Sequence, residues 1–209
     1  MAAVKLTYLF DPLCGWCYGA SPAVSEIAKH KEIELQLLPT GLFSGGERSM
    51  NAEFSQYAWS NDQRIQTLTG QLFSDIYYQN VLQAFGTPFN SFAMVQALTA
   101  VQPEQRLTAL SAMQQARYVA GRNVTDLAVL AEILRENGFG DAAEKLFSEN
   151  NKQSAVEWIQ TGQQLAAKLG IQGVPALLLH TENGEVKVLP NGWLYQDIDK
   201  LAEKINAVM

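Results

Sequence analysis

The stretch FDPLCGWCYGASP, residues 10–22, constrains the fold more than any other part of the chain. It places the only two cysteines, Cys14 and Cys17, at the junction between two elements of different periodicity. Before it, Val4 to Phe10 is short, mostly apolar and β-prone, and it ends at Asp11-Pro12, so it reads as a buried strand. After it, Cys14 to about His30 has a helical pattern with Val24, Ile27 and Ala28 on one face. Pro22 lies inside that helix and cannot donate to the Tyr18 carbonyl, which predicts a kink. Ile33 to Pro39 then reads as a second strand. A strand, a helix and a strand in this order form a parallel β-α-β unit with a right-handed crossover.

The rest of the chain is divided by a change in composition. TGLFSGGERS (40–49) is a Gly/Ser-rich loop, and beyond it helix signals run for over a hundred residues with almost no strand signal. Residues 51–60 and 62–85 are helical in pattern, Thr87-Pro88 breaks the run, and a helix restarts near Ser91. Pro103 suits a first helical turn, Thr125 an N-cap for a helix ending at Asn137-Gly138, and Asp141 a further cap. Ser154 to Leu169 closes the series at Gly170. Pro175 to His180 and Val186 to Leu189 read as strands joined by a hairpin turn at 182–185, and Gln196 to Val208 reads as a final amphipathic helix.

Composition narrows the function classes. With 47% apolar and 17% charged residues, disorder is excluded, and a net charge of −6 disfavours nucleic acid or an anionic membrane as partner. No stretch approaches the roughly 20 apolar residues of a membrane helix. MAAVKLTYLFDP lacks the pattern of a secretory signal, so the chain is expected to be soluble and cytoplasmic.

Two buried cysteines packed as small hydrophobes are unnatural just past a strand and a proline. A zinc site needs about four ligands. No second cysteine pair exists, and His30 and His180 stand in separate regions without ligand spacing, so no metal is expected. A redox pair has a direct physical basis. At a helix N-terminus the unpaired amides and the helix dipole stabilise a thiolate, so Cys14 is expected to have a lowered pKa and to attack. Cys17, one turn on and less exposed, is expected to resolve the mixed disulfide. Far along the chain, Gly173-Val174-Pro175 opens a strand where proline is disfavoured in a central ladder. A cis Val174–Pro175 bond would let this loop pack against the cysteine-bearing helix start.

These residues resemble the thioredoxin superfamily, and within it the DsbA-like thiol–disulfide oxidoreductases. The resemblance rests on the first strand running into DPLCGWC, on Pro22 five residues after the second cysteine, on GVP at 173–175, and on the helical block. RYVAGRNVTDLAVLAEILRENGF (117–139) is similar to a recurring helical segment of that family, and DPLCGWCYGASP resembles a cytoplasmic branch described as protein-disulfide isomerases. The implied fold is α/β and thioredoxin-like (β-α-β … β-β-α), with a large all-helical insertion between the second and third strands. The implied domains are 1–44 with 170–209 for the thioredoxin-like part and 45–169 for the insertion. Nucleophile, resolving cysteine and cis-proline carry over to Cys14, Cys17 and Pro175, and Val174 takes the position whose backbone pairs with an extended substrate.

Periplasmic DsbA oxidases carry a histidine in the dipeptide between the cysteines. Here Gly15-Trp16 stands there, which implies a less oxidising couple. The insertion is longer than a DsbA cap and closer in size to that of kappa-class glutathione transferases and chromene-carboxylate isomerases. The leading expectation is a disulfide reductase or isomerase without a bound cofactor. Its partners would be a disulfide-containing protein or peptide, or a small thiol such as glutathione as co-substrate, and the protein would be a monomer or homodimer. The alternative is a glutathione-dependent isomerase or transferase of the kappa or chromene-carboxylate type, with the loop Gly41 to Arg48 and Phe85, Phe89 and Phe92 lining a pocket. A third class, a peptide-binding module independent of the cysteines, has no specific support.

Overall fold

The structure is a computed structural model that describes residues 4–208. The outermost ends of the expected segments 1–44 and 170–209 therefore lie outside the described residues. Among those described, four strands form one sheet in the order β2-β1-β3-β4. β1 (Val4–Phe10) is parallel to β2 (Ile33–Pro39), in register from Val4 with Ile33 to Phe10 with Pro39. β3 (Ala176–His180) runs antiparallel to β1, and the edge strand β4 (Val186–Val188) antiparallel to β3.

The central strand β1 is apolar at nearly every position because both faces of the sheet are covered. Successive side chains alternate between faces. Leu6, Tyr8 and Phe10 join the larger core with the helix that follows the cysteines and the C-terminal helix. Leu9 packs on the opposite face with Leu38, Ala176 and Leu178.

The helix after β1 is two pieces, α1 (Gly15–Gly19) and α2 (Ser21–Ile27), broken at Ala20. Pro22 occupies the first turn of α2, where its missing N–H removes nothing, so the predicted kink is present as a full break. The insertion follows β2. It comprises α3 (Ala52–Thr69), α4 (Asp75–Tyr77) with a π-helical turn at Tyr78–Leu82, α5 (Phe92–Ala100), α6 (Arg106–Tyr118), α7 (Leu127–Glu136), α8 (Gly140–Lys145) and α9 (Glu149–Lys168). α9 returns under the sheet, where Trp158, Leu165 and Ala166 cover the Leu9 face. Gly162 allows the approach, since a Cβ there would run into the Pro39 carbonyl group at the end of β2. α10 (Leu201–Asn206) closes the chain. No helix among the described residues is long and apolar enough to cross a membrane.

Several boundaries differ from the sequence pattern, each for a local reason. Residues 51–60 and 62–85 are not two helices, because α3 runs without interruption through Asn61 and stops at Gly70, which takes the left-handed φ of 75°. Gln66 and Thr69 side chains then accept from the Phe73 and Gln71 amides and hold the next segment out of helix. Asp126, not Thr125, caps α7, its carboxylate accepting from the Ala128 amide at 2.7 Å. Asp141 lies in the first turn of α8 with Phe139 in the cap position, and α9 starts at Glu149 behind Ser148 rather than at Ser154. The final helix is preceded by a 3-10 turn at Ile198–Lys200, so only its second half is α-helical.

Candidate active site

The cysteine loop is shaped by Asp11. Its backbone carbonyl accepts from the Cys14 amide at 3.0 Å, and its Oδ1 accepts from the Leu13 amide at 2.9 Å, turning the chain from β1 into α1. Its Oδ2 accepts from the Phe43 amide at 3.0 Å and the Ser91 hydroxyl at 2.7 Å, tying the turn to two loops beyond β2. Asp11 is fully buried, and burial pushes its carboxyl above the ordinary carboxylate range against those three donors.

Cys14 sits at the N-cap of α1 with an extended backbone (φ −77°, ψ 117°). Its thiol reaches the Val174 carbonyl, at 3.6 Å from Sγ, and the Val174–Pro175 peptide bond beside it is cis. The fold thus places Cys14, Val174 and Pro175 together although 160 residues separate the first two. Both thiols are well covered, with relative exposures of 6% for Cys14 and 2% for Cys17. Burial pushes the Cys17 thiol well up, and the neighbouring Cys14 sulfur adds to the shift. Tyr8 donates to the Cys17 carbonyl from below, at 3.4 Å.

The dipeptide between the cysteines has two distinct roles in packing. Trp16 is half-buried and meets Tyr195 edge-on at 5.4 Å between centroids, while the Tyr195 hydroxyl donates to the Trp16 carbonyl at 3.3 Å. Gly15 lies against α3: a Cβ there would stand 2.6 Å from Asp62 Oδ1 and 3.2 Å from Ile65 Cδ1. One turn on, a Cβ at Gly19 would meet the Ile65 side chain at 2.5 Å. The two glycines, four apart on one helical face, let α3 of the insertion come down onto the cysteine helix.

Asp62 is buried at that contact and accepts from the Tyr77 hydroxyl at 2.9 Å. Burial raises its carboxyl from 3.8 to about 7, with the Tyr77 hydrogen bond and the Arg117 charge pulling the other way. Tyr118 completes the attachment, donating to the Leu13 carbonyl at 2.9 Å and stacking on Tyr18 at 4.6 Å. Gln71 donates to the Tyr18 carbonyl and the Ser21 hydroxyl. The insertion therefore forms one wall of the cysteine site.

Asp11, Asp62, Gly19 and Tyr118 were not singled out by the sequence pattern. The spacing Gly15-x-x-x-Gly19 carries a readable signal of close helix packing. Asp62 carries none, because a polar residue on an amphipathic helix reads as solvated. The suggested aromatic pocket is not assembled. Phe85 is 58% exposed, Phe92 packs with Val95, Ala155 and Ile159, and Phe89 is buried against Phe43 and Phe54. His180 is satisfied by the Thr7 hydroxyl at 2.8 Å, and His30 lies 3.3 Å from Glu32.

A β-α-β unit joined to a β-β-α unit, with a cysteine pair where β1 meets the first helix and a cis-proline loop against it, defines a thioredoxin-type redox enzyme. The chain belongs to the family described as the DSBA-like thioredoxin domain, which matches residues 5–206, and its function is thiol–disulfide redox chemistry with a closely spaced cysteine pair. The solved structure of the cytosolic disulfide reductase DsbM from Pseudomonas aeruginosa is similar at 29% identity, with a TM-score of 0.88 and 98% of each chain covered. The same protein with GSH matches at 28% identity and a TM-score of 0.86, again over 98% of each chain. A curated relative, the ClpXP adapter protein SpxH from Bacillus subtilis, is 21% identical over 199 residues, which are 93% of this chain. The chain spans 65% of that relative's length.

Proposed function

We propose that the protein is a cytoplasmic disulfide reductase of protein or small-molecule disulfides, with Cys14 attacking and Cys17 resolving. The observation that carries this reading is the position of Cys14 at the start of α1, its sulfur facing the Val174 carbonyl while Cys17 lies covered behind it. The Cys14 thiolate attacks one sulfur of the substrate disulfide, forming a mixed disulfide and releasing one substrate thiolate. Cys17 then loses its proton and attacks Cys14 Sγ, so the Cys14–Cys17 disulfide forms and the second substrate thiol leaves. Val174, just before the cis-proline, is the backbone position that would pair with an extended substrate.

Two electrons must be returned to the pair after each turnover, and a small thiol does this by the same exchange run twice. Glutathione is the co-substrate we favour, since the similar DsbM structure was solved with GSH. In a reducing compartment an oxidase is thermodynamically opposed, and Gly15-Trp16 adds no charge that would favour the thiolate. Residues 1–44 with 170–209 carry the chemistry in this reading, and 45–169 provide the wall against α1. Insulin reduction with glutathione as donor tests it: Cys14→Ser should abolish turnover, and Cys17→Ala should accumulate a mixed disulfide on Cys14. Wild-type turnover in Cys14→Ser would sink the assignment.

A further inference from the structure

Beside Cys17 lies a small pocket of about 10 Å3, the lower limit of space for a single water. Tyr8 from β1, Cys17 from α1, Ser21 and Ser25 from α2, and Ser111 and Gln114 from α6 line it. Gln114 is 1% exposed, and neither its Nε2 nor its Oε1 has a hydrogen-bond partner among the described residues. Buried amides without partners are rare, because each unsatisfied group costs about 1–3 kcal/mol. An amide that can donate one bond and accept another, beside a space of this size, is a water-binding site. Ser25, Leu107 and Ser111 also line an open groove of about 800 Å3 between α2, α6 and α7, so the same serines border both the small pocket and the groove.

We propose that Gln114 holds one water against Cys17, and that this water, with the Ser25 and Ser111 hydroxyls behind it, carries the Cys17 proton to the groove during resolution. In that step the Cys17 S–H bond breaks, the Cys14–Cys17 bond forms and the bond from Cys14 to the substrate sulfur breaks. The proton passes to the water, which hands another on through the hydroxyls to solvent, and the departing thiolate is reprotonated from solvent on the substrate side. Gln114 is a positioning residue, since it acts through the water. The proposal rests on Cys17 as the resolving cysteine. The groups that face Cys17 are Cys14 on its own helix, Asp11 from the turn after β1, Tyr8 from β1 and Tyr195 from the segment after β4. The Asp11 carboxylate is held by the Leu13, Phe43 and Ser91 donors.

The test separates the two exchange steps, with oxidised glutathione as the probe. In a Cys17→Ala background, capture of glutathione on Cys14 should proceed at the same rate with Gln114 or with Gln114→Leu. With Cys17 present, rapid quench and mass spectrometry should show resolution slowed about tenfold or more in Gln114→Leu, with its pH profile displaced upward. Resolution at the wild-type rate and pH dependence, or an equal slowing of both steps, would overturn the proposal. Should Gln114→Leu fail to fold, Ser25→Ala with Ser111→Ala decides by the same two readouts. If no mixed disulfide accumulates on Cys14 in Cys17→Ala, the proposed function itself has failed, which is a separate result.

Discussion

Asp62 is a buried carboxylate at the contact between the insertion and the cysteine helix, and replacing it with asparagine separates its charge from its shape. Asparagine keeps an oxygen to accept from Tyr77, and it removes the ionisation. A folded-state value raised from 3.8 to about 7 corresponds to about 4 kcal/mol between the two protonation states. Its sign follows from proton binding, because the folded protein holds this proton more tightly than the unfolded chain does. The stabilisation is complete below the unfolded value and is lost as pH rises through about 7. Asp11 acts in the same direction and is common to both proteins. The stability of Asp62→Asn relative to wild type should therefore rise by about 4 kcal/mol from acid to alkaline pH. With a urea slope of about 2 kcal/mol/M, that is a relative displacement of about 2 M in midpoint. Urea titrations of the reduced proteins at about pH 3, 5 and 8 read it directly across the interval that the shift spans. Two stability curves that stay parallel across this range would refute the reasoning, since Asp62 would then ionise as it does in water.

The other expectations concern the close approaches. Gly15→Ala brings a methyl against Asp62 Oδ1, on a carboxylate that Tyr77 holds through Oδ2, and should cost about 1–3 kcal/mol. Pairing it with Asp62→Ala should recover most of that loss in a double-mutant cycle of urea midpoints. Gly162→Ala drives a methyl into the Pro39 carbonyl group, which is backbone and cannot rotate away, so a loss of about 3 kcal/mol is expected by the same measurement.

The DsbA-like fold was legible because its signals are local. Val4 to Phe10, the cysteine pair, Pro22 and Gly173-Val174-Pro175 each announce an element or a junction through periodicity, spacing or backbone chemistry. The boundaries inside the insertion were less legible, since side chains such as Gln66, Thr69 and Asp126 decided where helices stop and start. The surroundings of the cysteines were not legible at all. Nothing in the sequence near Asp62, Gln114 or Tyr118 says that these residues meet a loop some fifty to a hundred positions earlier. The sequence by itself determined which atoms can exchange disulfides and which elements present them. Only tertiary structure decided what lies behind Cys17, how far burial moves its thiol, and which insertion residues touch the pair. Desolvation and packing arise from distant segments brought together, and a one-dimensional pattern holds no record of that distance.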